Sequence, residues 1–349
     1  MARILLLVSS IFLCGKLGSS FMDIPVINLP EEIRDDLINI VTNPLKLIHN
    51  CDSSDTQEVQ YLLYTRKNRD RPIKLNPQQP MEVEEGKPTI LLIHGWISDS
   101  NFYNMPKIRE GFLTKYDCNV IMIDWSKTSF KTYGHSVCAL PVIAEEVARL
   151  LCKLDAYYGV PLELVHIIGH SLGGQMSGLI GQSTREVCQK SLGRITALDP
   201  AGPLFFGLPE SKRLDPSDAN FVQAIHTNGG VFGYLPKCAD VDFFVNCGTY
   251  QHGCITISLL NITNVLVSDV TCSHSRSLDY LEESIYSTGF VGHSCKYCPV
   301  KCIADLFNSK SAVMGEHTAK DASGSFLVTT ASSSPFAQKC TSYAFGVCL

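Results

Sequence analysis

From residue 89 onward, short β-branched apolar runs alternate with longer stretches whose apolar residues recur at helical spacing. This is the rhythm of a parallel sheet covered by helices on both faces. The predicted strands are residues 89–93, 119–123, 164–168, 194–198 and 221–225. Between the second and third, Val142, Ile143, Val147, Leu150, Leu151 and Leu154 mark one face of a helix. That helix supplies the crossover that two parallel strands require. The predicted class is therefore α/β, with a mostly parallel central sheet. Residues 21–50 read as an N-terminal extension carrying Pro25, Pro30 and an amphipathic stretch over 31–48 that Pro44 interrupts. The main domain is predicted over 51–337 and a short tail over 338–349, with no internal repeat.

The first 20 residues hold Arg3, an apolar run from Ile4 to Leu13 broken by Ser9 and Ser10, and small residues at Gly18, Ser19 and Ser20. This is the make-up of a secretory signal peptide, and the run is short of the roughly 20 apolar residues that span a bilayer. Removing it would take the formal charge from −5 to −7 and the cysteine count from 15 to 14. An even count in a secreted chain points to disulfides. Cys295, Cys298 and Cys302 beside His293 imitate a zinc cluster, but oxidised pairs fit a secreted chain better. With 29 basic against 34 acidic residues, the footprint of a nucleic-acid-binding domain is missing.

Gly169-His170-Ser171-Leu172-Gly173 directly follows an apolar run and precedes a Gly-rich segment able to start a helix. A serine on such a strand-to-helix turn is lifted clear of the sheet, and both glycines let the backbone close in tightly. Ser171 is thus the candidate nucleophile. Its hydroxyl needs a base, and the base needs an acid to fix its tautomer, in the chain order serine, acid, histidine. Asp199 closes the run 195–198 ahead of Pro200, on the same sheet edge as Ser171. His274 follows in Cys272-Ser273-His274, and His226, also at a strand end, competes with it for the role of base.

These residues lie within a longer set of motifs. They include His94-Gly95-Trp96, Asp124-Trp125-Ser126, Leu198-Asp199-Pro200-Ala201-Gly202-Pro203, Arg213-Leu214-Asp215-Pro216-Ser217-Asp218-Ala219, Ile225-His226-Thr227 and Val241-Asp242-Phe243-Phe244. In this order, over about residues 50–336, the chain resembles the animal lipase family that contains pancreatic lipase, lipoprotein lipase and the phospholipases A1. The resemblance implies an α/β-hydrolase fold, the triad Ser171, Asp199 and His274, and a structural place for His226. It also implies an oxyanion hole formed by the backbone N–H groups of Trp96 and Leu172. No metal or organic cofactor is expected.

Between Cys254 and Cys272 lie 17 residues, nine of them Ile, Leu or Val, with Asp269 the only charge. A Cys254–Cys272 disulfide would close this segment as a loop, and the family reading of 255–271 is a lid that opens onto lipid. Asn261-Ile262-Thr263, a glycosylation sequon, lies inside it. Against pancreatic lipase, both the lid and the stretch from Thr227 to Asp242 are short, in the direction of the phospholipases A1. Cys238 and Cys247 are additional to the pancreatic pattern and are expected to pair with each other.

The expected protein is a secreted, monomeric serine ester hydrolase acting on glycerolipids at a lipid–water interface, with phospholipase A1 activity first and triacylglycerol or galactolipid lipase as the alternative. A C-terminal β-sandwich of the kind the family carries is not expected, and with it no colipase partner. A non-catalytic lipid-binding or yolk-type protein on the same scaffold is the alternative of another class, and the presence of all three triad residues argues against it.

Overall fold

Successive residues of a strand point to opposite faces, and the apolar runs of this chain are apolar on both. A computed structural model describes residues 29–47, 51, 58–254, 262–305, 310–338, 343–344 and 347–348. The parallel strands are β3 (Thr89–Ile93), β4 (Asn119–Asp124), β5 (Val165–His170), β6 (Arg194–Leu198), β7 (Val222–His226), β8 (Val241–Val245) and β11 (Gly324–Val328). Antiparallel strands extend both edges: β1 (Gln60–Tyr64) and β2 (Ile73–Leu75) on one, β9 (Val291–Ser294) and β10 (Ser311–Val313) on the other. The resulting 11-stranded sheet runs β10-β9-β11-β8-β7-β6-β5-β3-β4-β1-β2.

The alternation of side chains builds two cores. Leu91, Ile93, Ile121, Ile123 and Ile167 face the helices α4 (Tyr133–Tyr158) and α5 (Leu172–Cys188). Ile90, Leu92, Val120, Met122 and Ile168 face α2 (Met105–Lys115) and the second half of α6 (Ile262–Ser284), where Leu278, Tyr280 and Leu281 are buried. The helix predicted over 142–154 is the inner part of α4, which follows the short α3 (Ser126–Ser129), begins at the Thr132 cap and ends where Gly159 turns left-handed. The third predicted strand starts one residue later than expected, because Leu164 closes a 3-10 turn. The amphipathic stretch of the N-terminal extension forms α1 (Glu31–Thr42), with Ile33 and Ile40 buried. β3 lies between β4 and β5, so the winding reverses there, and the crevice at the carboxyl ends of β3 and β5 is where open α/β sheets bind ligands.

Disulfides join Cys51 to Cys138, Cys152 to Cys188, Cys254 to Cys272 and Cys295 to Cys298. The expected Cys238–Cys247 pair is not formed, and both thiols are free. Strand β8 runs between them, and its five residues at about 3.3 Å each exceed the roughly 7 Å between Cα atoms that a disulfide can bridge. Cys238 is buried, while Cys247 lies beside Cys302 past the carboxyl end of β8. The predicted signal peptide, residues 255–261 of the lid, Asn261 with them, and most of the C-terminal tail lie outside the described residues. The rest of the predicted lid is the start of α6, which continues through Cys272 and His274. Among the described residues no helix is long and apolar enough to cross a membrane.

Candidate active site

The turn from β5 into α5 is tight. Ser171 adopts φ 56° and ψ −120°, a conformation that non-glycine residues hold only under strain. A Cβ on Gly169 would fall 2.1 Å from the Gly173 carbonyl oxygen, and one on Gly173 would fall 2.4 Å from that of Ile93. Side chains at those positions would push the turn apart, so the motif's glycines are a packing requirement. The Ser171 carbonyl accepts from the N–H groups of Gly174 and Gln175, and so opens α5 directly behind the hydroxyl. Leu172 is the first residue of α5, where the N–H group has no intrahelical acceptor.

The loop after β3 supplies the opposite wall. Gly95 sits so close that a Cβ there would lie 2.9 Å from that of Ser171. His94 is buried and holds this loop: Nδ1 is 3.0 Å from the Gly95 carbonyl oxygen, Nε2 accepts from the Trp125 N–H at 3.1 Å, and its ring stacks on Trp125. Burial lowers the His94 pKa, which favours the neutral ring that this donor–acceptor pattern needs. The Trp96 indole donates to the Lys131 carbonyl at 2.8 Å and meets Tyr133 edge-on, so its side chain is engaged away from the serine.

Asp199 follows β6 with φ 41° and is fully buried. Its Oδ1 accepts from the N–H groups of Thr227 (2.7 Å) and Asn228 (3.0 Å), and its Oδ2 lies 2.6 Å from Nδ1 of His274. The carboxylate is thereby held on one oxygen by two fixed donors and presents the other to the imidazole. The His274 carbonyl accepts from His170 Nε2 at 3.2 Å and from Thr227 Oγ1 at 3.4 Å, which pins this part of α6 to the sheet edge, and from Ser277 Oγ within the helix at 3.0 Å.

His170 precedes the serine, and its ring centroid lies 4.6 Å from that of His274. Ser171 and His274 therefore lie at the same edge of the sheet. Among the described residues no hydrogen bond joins the serine hydroxyl to the imidazole, a bond that often tightens only when substrate is bound. Burial, and then the neighbouring His274, push the His170 pKa well below its ordinary value. The lowered pKa favours the neutral ring at His170.

His226 is elsewhere in its bonding. Its Nδ1 is 2.9 Å from the Tyr234 carbonyl oxygen, its Nε2 is 2.9 Å from Asp242 Oδ1, and its ring stacks on Phe244. Both nitrogens are engaged, so it cannot also serve Ser171. With Cys238 it brings ligand-type atoms within 4.8 Å of one another, the one such group among the described residues. Burial raises the Cys238 thiol well above its usual pKa, which disfavours the thiolate a metal would need. The cluster is a hydrogen-bonded core feature. The fixed donors from Thr227 and Asn228 escaped the sequence reading, because a backbone amide has no residue signature. His170 escaped it as the unspecified residue of the serine motif.

The lipase family profile matches residues 36–336. Mouse hepatic triacylglycerol lipase is 32% identical over 307 residues, covering 80% of this chain and 59% of that protein. Pancreatic triacylglycerol lipase of Myocastor coypus is 34% identical over 273 residues, covering 73% and 58%. The dog protein named inactive pancreatic lipase-related protein 1 is 34% identical over 254 residues, covering 68% and 54%. The chain thus spans little more than half the length of these relatives. A solved phospholipase/carboxylesterase of Dyadobacter fermentans superposes with a TM-score of 0.37 at 11% identity, over 68% of this chain and all of that one. With its serine turn, histidine and buried aspartate at one edge of the sheet, and with a profile match over most of its length, the chain belongs to the lipase family.

Proposed function

We propose that the protein is a secreted serine hydrolase that cleaves carboxylic esters of glycerolipids through an acyl-enzyme. The observation that carries this reading is the 2.6 Å pairing of His274 with buried Asp199 beside the strained turn of Ser171. Nδ1–H of His274 donates to Asp199, which leaves Nε2 as the basic nitrogen. Nε2 takes the Ser171 proton as Oγ attacks the ester carbonyl. It returns that proton to the departing alcohol as the tetrahedral intermediate collapses. Water then repeats the cycle on the acyl-serine and releases the fatty acid.

Charge develops twice in this sequence. The imidazolium forms against the Asp199 carboxylate, and neutral His170 adds no opposing charge. The oxyanion forms beside the N–H of Leu172, at the positive end of the 17-residue helix α5, and of Trp96 in the Gly95 loop. Each such preorganised donor is worth about 100–1000-fold in rate. The reaction needs no metal or organic cofactor. The disulfides support an oxidising compartment, hence secretion.

The short segment joining β7 to β8 and the short lid favour phospholipids, cleaved at the sn-1 ester. The relatives named triacylglycerol lipases favour a second reading, hydrolysis of triacylglycerol. Family membership alone leaves catalysis open, since one relative is named inactive. The test presents the protein and its Ser171→Ala variant with position-labelled phosphatidylcholine and with triolein. Fatty acid from the sn-1 position of phosphatidylcholine selects the first reading and fatty acid from triolein the second. Equal product from the protein and the variant rejects both.

A further inference from the structure

Among the described residues, the segment that follows β9 gathers exposed apolar side chains more densely than any other stretch. Tyr297 is 58% exposed, Val300 88% and Ile303 59%, three large apolar residues within a span of seven. Scattered apolar residues are ordinary on a protein surface. A valine exposed almost as fully as in an extended chain, flanked by two more such residues, has no covering partner among the described residues.

The segment is also stiff. Cys295 and Cys298 are joined by a disulfide, the Lys301 N–H donates to the Tyr297 carbonyl at 2.8 Å, and the Cys295 N–H donates to the Ser325 carbonyl on β11 at 2.8 Å. Little conformational freedom remains to be lost on docking. Two cations accompany the apolar residues: Nζ of Lys296 and of Lys301 lie 5.5 and 5.9 Å from the centre of the Tyr297 ring. A tyrosine flanked by lysines, with bare aliphatic side chains beside it, is the composition that settles at the boundary between lipid headgroups and acyl chains. Its position agrees. The turn brings Cys302 beside Cys247, just past the carboxyl end of β8, and that is the sheet edge that carries Ser171 and Asp199.

We infer that residues 296–303 form a docking surface for a phospholipid membrane, with Tyr297, Val300 and Ile303 entering the interface and Lys296 and Lys301 meeting anionic headgroups. The choice of partner rests on the glycerolipid reading above. The surface itself is distinct from the catalytic residues and from the predicted lid.

The test uses the full chain carrying Ser171→Ala, so that vesicles stay intact, in co-sedimentation with phosphatidylcholine vesicles with and without phosphatidylserine. Adding Tyr297→Ser, Val300→Ser and Ile303→Ser should lower partitioning onto both vesicle types by about ten-fold or more. Lys296→Gln with Lys301→Gln should instead reduce the preference for the anionic vesicles, by about five-fold per lysine. A Val300→Trp probe should shift its emission to the blue when vesicles are added. In the Ser171 protein, the serine triple variant should still cleave a short-chain ester dissolved as monomers at the parent rate, which confirms the fold.

Unchanged sedimentation of the triple variant, or an unshifted emission of the Val300→Trp probe, overturns the inference. So does a triple variant that changes only the oligomeric state, since the patch would then join two copies of the chain. A protein that sediments through this loop yet cleaves no glycerolipid refutes the proposed function and leaves the docking surface standing. A protein that cleaves glycerolipid but ignores the triple substitution does the reverse.

Discussion

Replacing Asp199 by asparagine changes one atom type in the site and is expected to remove nearly all activity. Oδ1 of Asp199 faces two N–H donors, from Thr227 and Asn228, at 2.7 and 3.0 Å, whereas Oδ2 faces a single nitrogen of His274 at 2.6 Å. An asparagine satisfies this cage in one orientation, with its carbonyl toward the two amides and its NH2 toward the imidazole. Nδ1 of His274 must then accept, which places the ring proton on Nε2. That nitrogen can no longer take the proton of Ser171. Wrong-tautomer substitutions in such triads cost about 10,000-fold in kcat, which is about 5 kcal/mol of transition-state stabilisation. The fold should lose less, because volume and hydrogen bonds are retained: about 1–3 kcal/mol for exchanging a buried charge-assisted bond. The assay is hydrolysis of a soluble short-chain ester at saturating concentration, paired with urea unfolding of both proteins. A variant that folds normally and keeps kcat within ten-fold of the parent would refute the assignment of Asp199 as the orienting acid.

Gly169→Ala should unfold at lower temperature, by at least about 1–3 kcal/mol of stability by overpacking costs, because its Cβ would meet the Gly173 carbonyl at 2.1 Å; an unchanged melting curve contradicts the packing argument. Removing the Cys254–Cys272 bridge, which spans a sequence separation of 18, should cost about 3 kcal/mol by loop-entropy reasoning, read from denaturant midpoints of the double serine variant. His94, His166 and His170 all have pKa values lowered by burial. The unfolded chain therefore takes up protons near the ordinary histidine pKa of about 6.5 while the folded chain does not, so stability is full above that pH and falls below it. The slope approaches about 1.4 kcal/mol per pH unit for each histidine. His170→Leu should flatten it in unfolding curves taken between about pH 5 and 6.5, and an unchanged slope counts against a neutral buried His170.

The part of the parallel core from β3 to β7 was legible because its strands are apolar on both faces and the long helix between β4 and β5 keeps a 3.6-residue period, and these strands lie within a residue or two of the expected positions; β8 and β11, also parallel, were not predicted. The antiparallel edges were not. β2 and β10 are three residues long, and such short stretches, partly exposed, leave no clear alternation in the sequence. Ser171 and Asp199 could be picked out by position and chain order, since a serine turn demands a strand before it and a helix after it, whereas His274 was separated from His226 only by the family resemblance. The donors that hold Asp199 could not, because they depend on where β7 ends in space. Cysteine pairing was legible only where the partners flank one loop, as Cys254 and Cys272 do. Cys238 and Cys247 are closer still in sequence, but the strand between them holds them apart.

The most direct test is to quench the enzyme in acid during turnover of a glycerolipid and map the acylated peptide by mass spectrometry. The account predicts one fatty-acyl group on Ser171, lost in Ser171→Ala together with product release. Turnover with no acyl group on Ser171, or persisting in Ser171→Ala, would contradict it.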